Sequence, residues 1–428
     1  MNPGLFGGVH TQYRELHSEL LARPFPVVSG QVMVSHRAIL FTPAEAVAHR
    51  AAVSGLVAKL GAEATTEEHG FQVLLLEDVE VRIERHTEFT SFIAIATQSG
   101  SPFAESAANR LPAGWLNGIP GRLLAGVEIA TEEVPAIEAG TAAVMDRIGE
   151  HFDQERFVGS WTVERVASVW SCFKADDRGA TRFLVQSHRL SPGRYGRLLQ
   201  RLVEIETYRM AALLALPLAR ELLPEMEALE AQHVALVERM GDTDSGDERT
   251  LLTDLTNLSL RIERLRANCG TRFNLTSSYV RILAARLVEL REEQVAGYQT
   301  IGEFFDRRLA RAWHTCERAD AELTALTARL RSTTGLLRTR VEVNLQMQNQ
   351  QILASVDRRA AAQLRLQHNV EGLSVVVLTY YLANLVKILL EGVEAAGFAV
   401  KVMLVVAGAL PLLALAVWLA VRRAREKH

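Results

Sequence analysis

The segment Glu80-Val-Arg-Ile-Glu-Arg-His-Thr-Glu88 places acidic, basic and imidazole side chains at every second position. On a β-strand this spacing gives Glu80, Arg82, Glu84, His86 and Glu88 a common face. A Glu-His-Glu row can hold a divalent ion or present a general base, because carboxylate oxygens and a neutral imidazole nitrogen both donate electron pairs near neutral pH. Side chains two apart on a strand stand ~6.5 to 7 Å from one another, so Glu84, His86 and Glu88 meet on one metal only if the strand curves or another element adds a ligand. An ion-paired sheet surface has the same composition and is the more ordinary explanation. The expectation is therefore no cofactor, with a divalent metal at Glu84, His86 and Glu88 as the alternative.

A second polar constellation lies near the C-terminus. Tyr380, Asn384, Lys387 and Glu391 follow one another at steps of four, three and four, so they share one stripe of an otherwise apolar helix. Such a stripe faces a pore or another subunit, or else Lys387 snorkels outward and pairs with Glu391. Near the N-terminus, His17 precedes Arg23-Pro-Phe-Pro26, a stiff extended segment that laces the chain onto its domain or clamps a ligand through Arg23. The acidic run Gly241-Asp-Thr-Asp-Ser-Gly-Asp-Glu248 fails as a calcium loop: counted from Asp242, glycine falls where the fifth ligand belongs and Thr253 where a bidentate glutamate is needed. Phosphate-cradle, His-Glu-x-x-His and Gly-x-Ser-x-Gly motifs are absent.

Elements that would position these groups follow from proline and apolar spacing. Eleven of the twelve prolines fall between Pro3 and Pro224, and none lies between Glu225 and Leu410. Strands and turns are thus expected first and continuous helix afterwards. Apolar runs at 32–41, 71–78 and 79–97, with a helical stretch at 43–60, give a β-α-β-β order. A looser echo follows in 124–130, 141–152, 157–164, 166–174 and 181–188, the last two joined by a turn at 175–179, which suggests an internal duplication. From Pro192 the spacing becomes helical over 195–240, 249–268 and 277 onward, with breaks at 241–248 and Gly270 and candidate kinks at Gly335 and Gly372. A single helix over 301–390 would extend ~135 Å. Leu323, Leu326, Leu330, Leu337, Val341, Leu345, Ile352 and Val356 form a narrow apolar seam, which needs a partner helix from the same chain or from another subunit. The amides Asn344, Gln346, Gln348, Asn349, Gln350 and Gln351 beside it are either a solvated face or a register device.

Two apolar runs, 373–390 and 402–421, each approach the ~18 to 20 residues that cross a bilayer as a helix. With only 391–401 between them they would form a transmembrane hairpin. Arg358, Arg359 and Arg365 precede the first run, and Arg422, Arg423, Arg425 and Lys427 follow the second. The linker carries Lys401 against Glu391 and Glu394, so both termini are expected in the cytoplasm. The start of the chain lacks a basic and apolar leader, so export of the body is not expected. A net charge of -3, with 23% charged residues, argues against nucleic acid as a partner. Cys172, Cys269 and Cys316 lie far apart, which suits a reducing compartment.

Several stretches together resemble a bacterial family of membrane-anchored proteins, domain of unknown function 3422. They are Glu15-Leu-His17, Ala22-Arg-Pro-Phe25, Glu84-Arg-His-Thr-Glu-Phe-Thr90, Glu204-Ile-Glu-Thr-Tyr-Arg-Met210 and Ala215-Leu-Pro217. Later come Gln299-Thr-Ile-Gly-Glu-Phe304, Leu337-Arg-Thr-Arg-Val341, Glu371-Gly-Leu-Ser-Val375 and Thr379-Tyr-Tyr381. The resemblance implies a bacterial inner-membrane protein and brings no activity with it. The run from Glu-Leu-His to Ala-Arg-Pro-Phe departs from the family pattern, being split by residues 18–21. The order of parts is also similar to CorA-type magnesium channels, but the Gly-Met-Asn triplet of those channels is missing and Lys387 would repel cations.

These readings predict an α+β cytosolic domain over 1–190, a helical bundle or coiled coil over 191–371, a transmembrane hairpin over 372–421 and a basic tail over 422–428. The expected function is a non-enzymatic homo-oligomeric sensor or scaffold that binds a small ligand and a lipid bilayer. A CorA-like channel or transporter, and a metal-dependent enzyme using His86, Glu84 and Glu88, are the alternatives.

Overall fold

A computed structural model describes residues 10–13, 16–17, 23–61, 63–64, 67, 70–135, 142–152, 156–187, 190–242, 248–396 and 401–425. Glu15 and the split at 18–21, most of the acidic run 241–248, part of the linker 391–401 and the tail beyond Arg425 lie outside the described residues. Contacts divide the chain into two units, Met1–Arg239 with Thr253–Ser332, and Met240–Leu252 with Thr333–His428.

The first unit is an α/β domain built on a ten-stranded sheet. Its strands are β1 (Val32–Leu40), β2 (Glu63–Ala64), β3 (Phe71–Leu75), β4 (Val79–Arg85), β5 (Phe89–Thr97), β6 (Arg122–Glu133), β7 (Val158–Thr162), β8 (Ala167–Ser171), β9 (Ala180–Ser187) and β10 (Glu293–Gln294). They lie in the order β10-β7-β8-β9-β6-β1-β5-β4-β3-β2. Each half runs from a strand through a helix into a meander whose last strand returns beside the first. The first strands differ in direction, however: β1 pairs with β5 antiparallel, whereas β6 pairs with β9 parallel. The helices are α1 (Ala46–Leu60), ended by Gly61 in the left-handed region at φ 60, and α2 (Ala142–His151). The apolar run 79–97 is two strands rather than one, because the chain turns at 86–88 and the His86 N–H donates to the Phe89 carbonyl at 2.9 Å.

Strand alternation assigns the two faces. Val34 pairs with Ile129, and both join Val185, Leu198 and Leu202 in one core, so α3 (Pro192–Leu213) covers this side together with the end of α5 (Glu248–Leu290). Met33 pairs with Ala130 on the opposite side. There α1 packs Val53 and Leu56 on Val81 and Phe92, while α2 packs Val144 and Ile148 on Trp170 and Leu184. The connections leave neighbouring strands β1 and β6 in opposite directions along the sheet. The middle of this face is left between them.

The helical spacing read from 195 to 240 resolves into α3 and α4 (Ala215–Asp242), separated at Leu214. Gly270 is not a break, since α5 passes through it without a neighbour that a side chain would strike. The interruption comes later, at 291–300, where Arg291 has φ 50 and β10 joins the sheet beside β7. A new helix, α6 (Ile301–Ala395), starts there. Thr300 and Glu303 form a reciprocal capping box: the Glu303 N–H donates to Thr300 Oγ1 at 3.1 Å and the Thr300 N–H to Glu303 Oε2 at 3.2 Å. Glu292 adds a carboxylate that accepts from the Ile301 and Gly302 N–H groups at 3.2 and 2.8 Å, where the helix dipole favours negative charge.

The second unit contains the rest of α6 and the apolar α7 (Val402–Arg425). Within it Asn344 Nδ2 donates to both oxygens of Glu248, at 2.9 and 3.0 Å, and Arg340 Nε approaches Glu248 at 2.8 Å. One of the seam's amides thus ties α6 to the first turn of α5. Leu323, Leu326 and Leu330 are buried in the first unit and Leu337 in the second, whereas Leu345, Ile352 and Val356 are exposed.

Candidate functional site

The row seen in the sequence is divided by the turn after β4. Glu80, Arg82 and Glu84 share a strand face, whereas His86 and Glu88 lie beyond the strand's end. Arg82 bridges Glu80 at 2.7 Å and the Pro24 carbonyl at 2.8 Å. Glu84 accepts Arg23 Nη1 at 2.8 Å, and His86 Nε2 stands 3.7 Å from the same carboxylate oxygen. Glu88 is engaged elsewhere: Arg272 grips it with both terminal nitrogens, at 2.9 and 2.8 Å, and the Tyr279 hydroxyl donates to it at 2.7 Å. Among the described residues no group of three or more His, Cys, Asp or Glu side chains stands where it could hold a metal ion.

Around Glu84 the α3 face contributes Gln200, Glu204 and Tyr208, and α5 contributes Arg286, which pairs with Glu204. The space between Glu84, His86, Ser91 and Glu204 has room for roughly one water molecule. Burial pushes the His86 imidazole down to about 4, aided by the nearby Arg23 charge, so the ring is neutral at pH 7. Burial raises Glu84 and Arg23 opposes it; burial likewise raises Glu204 against Arg286. Tyr208 is raised by burial and by the Glu204 and Glu84 charges. The cluster is an internally paired network: a neutral imidazole and two carboxylates are present, and among the described residues the space they line has room for roughly one water molecule. Residues 23–28 form its roof. The chain crosses α3 at Gly196, where any Cβ would overlap the Pro26 carbonyl oxygen, and Val28 N–H donates to the Pro192 carbonyl at 3.4 Å.

A larger opening lies on the opposite face, in the gap between α1 and α2. Ser35, Glu128 and Arg182 sit in register on β1, β6 and β9 and form a polar row across three strands. Glu128 accepts Ser35 Oγ at 2.6 Å and Ser106 Oγ at 3.0 Å on one oxygen, and Arg37 Nη2 at 2.8 Å on the other. The loop 98–121 and the turn 175–179 wall the gap and leave a cavity of about 270 Å³. The turn closes through the Gly179 N–H to the Asp176 carbonyl at 2.9 Å, with Gly179 at φ 74. Sequence reading did not identify this site. Its only trace was a charged residue, Glu128 or Arg182, interrupting an apolar strand.

The polar stripe Tyr380, Asn384, Lys387 and Glu391 is exposed along α6, with Lys387 Nζ 3.7 Å from Glu391. Two helices, α6 and α7, are long and apolar enough to cross a membrane by length and composition, and their apolar windows are only 11% and 6% buried.

No curated protein matches the chain. A family model described as protein of unknown function (DUF3422) matches residues 9–428, and the chain belongs to that family.

Proposed function

We propose that the chain is a non-enzymatic, membrane-anchored, homo-oligomeric sensor or scaffold in which the α/β unit binds a small ligand and α6 couples that unit to a transmembrane hairpin. The observation that carries this reading is the exposure of the two apolar windows, which leaves aliphatic surface that water disfavours at ~25 cal/mol per Å². A bilayer is the environment that removes this cost along a whole helix. Arginines before the first window and after the second support cytoplasmic termini. The Lys387–Glu391 pair within α6 favours an anchor over a pore, because the ammonium already has a carboxylate one turn away. A second copy is the partner that suits the exposed half of the seam, Leu345, Ile352 and Val356. Coupling requires only that a ligand bind two arrangements of the α/β unit unequally, so that the helix leaving it changes the packing of the hairpin.

Carbonate washing of bacterial envelopes tests the anchor: the protein should stay in the pellet, and a reporter joined after His428 should lie in the cytoplasm. Release into the wash, or an external reporter, would overturn the reading.

A further inference from the structure

The cavity beside Glu128 has a specific charge inventory. Glu105 is paired with Arg110 at 2.8 Å. Glu128 is matched by Arg37 and two hydroxyls, and Asp176 Oδ1 accepts the N–H groups of Arg178 and Ala180, each at 2.9 Å. Those amide bonds satisfy Asp176 without cancelling its charge, so Asp176 and Asp177 share the lining with two guanidinium groups, Arg178 on the exposed turn and Arg182 half-buried on β9. Among the described residues neither has a carboxylate within ion-pair distance. Arg182 instead stacks on the Phe103 ring, 5.5 Å from guanidinium carbon to ring centroid. Phe103 is held at φ 63, a left-handed conformation that bulky side chains avoid, with its ring edge-on to Phe152 at 6.3 Å. The guanidinium lies over the Phe103 ring and lines a cavity about 270 Å³ in volume. The Asp177 carboxylate and the Asn109 amide stand on the rim.

We infer that this cavity binds a small organic oxyanion, its carboxylate or phosphate taken by Arg182 and Arg178, that also carries an amine or hydroxyl for Asp177. The inference rests on reading the α/β unit as the ligand-binding body and names the chemical class it takes. A planar fork matches two oxygens of a carboxylate or phosphate with parallel hydrogen bonds, which a cation cannot accept. The donor requirement comes from Asp177, which would repel an anion lacking a group to pair with it.

Titration calorimetry on the full chain in detergent, with O-phospho-L-serine, inorganic phosphate, L-serine and spermidine as probes, tests the assignment. Binding of phosphoserine or serine more tightly than inorganic phosphate supports it and tells phosphate from carboxylate, whereas inorganic phosphate binding as tightly as both overturns the donor requirement. Arg182→Gln should weaken that binding about tenfold or more, the effect of losing a charge-assisted hydrogen bond, and Arg182→Lys should restore only part of it. Arg178→Gln, on an exposed turn where folding is not at stake, should also weaken it. Asp177→Asn should reduce the preference for phosphoserine over inorganic phosphate. No heat from any anionic probe at roughly 10 mM, spermidine binding in their place, or affinity unchanged in both arginine variants overturns the inference. None of these results bears on membrane anchoring, which the carbonate and reporter experiments decide separately.

Discussion

Replacing Gly196 with alanine sets two physical effects against each other. In the interior of a helix the change by itself stabilises by about 1 kcal/mol. At this position an added Cβ overlaps the Pro26 carbonyl oxygen, so residues 23–28 must lift from α3. Lifting removes the Arg82 hydrogen bond to the Pro24 carbonyl, made by a guanidinium whose side chain is only 7% exposed, at a cost of about 1–3 kcal/mol. It also weakens the Arg23–Glu84 pair; Arg23 is 43% exposed, so solvent screening limits that contribution to about 0.5–1 kcal/mol. The net expectation is a loss of about 0.5–3 kcal/mol, or a fall of up to several degrees in Tm. Thermal unfolding of the full chain in detergent reads the result. Gly270→Ala is the control, because nothing lies within 4 Å of its added Cβ and it should gain stability. A Gly196→Ala protein as stable as the parent, or more so, would refute the claim that the N-terminal segment is fastened across α3.

Four further outcomes are expected. His86 is held at about 4 in the folded chain against 6.5 when unfolded, so below pH 6.5 the unfolded state takes up the proton first and stability falls as pH drops towards 4; His86→Gln should flatten this slope in melts across that range, while Glu84, raised by burial, acts in the opposite sense. Arg272→Ala leaves the buried Glu88 carboxylate with only Tyr279 among its three donors and should cost about 1–3 kcal/mol in urea titrations, whereas Arg272→Ala on a Glu88→Gln background should cost distinctly less. Ile352→Asp with Val356→Asp should lower the mass measured by light scattering in detergent without changing the melting of the α/β unit, and an unchanged mass rules out assembly through this seam. If the metal-dependent alternative at Glu84, His86 and Glu88 were correct, elemental analysis would find stoichiometric metal that His86→Ala removes; the expected result is no such metal.

Much of the sheet was legible because its strands are short apolar runs bounded by turns. The spans 32–41 and 181–188 fall within a residue of β1 and β9. The turn inside 79–97 was not visible, since His86, Thr87 and Glu88 keep the polar alternation of a strand while the backbone reverses. Gly270 misled because glycine weakens a helix only by its intrinsic preference, which packing on both sides readily overrides. The true interruption at 291–300 carries no proline, and its two-residue strand depends on β7, some 130 positions earlier in the chain, so no local window contains it. Site residues were legible only in part for the same reason. Glu84 and His86 stood out by spacing, whereas Arg272, Tyr279 and Arg286, the partners that fix the role of the cluster, arrive from a distant helix. The row of Ser35, Glu128 and Arg182 exists only once three strands are in register.

The sheet ends at both margins in strands of two residues, β2 and β10. Among the described residues these stubs pair with only two positions each of β3 and β7, and short edge strands present a short ladder of amide and carbonyl groups to an incoming strand. Shortening the ladder at each margin in this way lowers the tendency of crowded copies to join edge to edge.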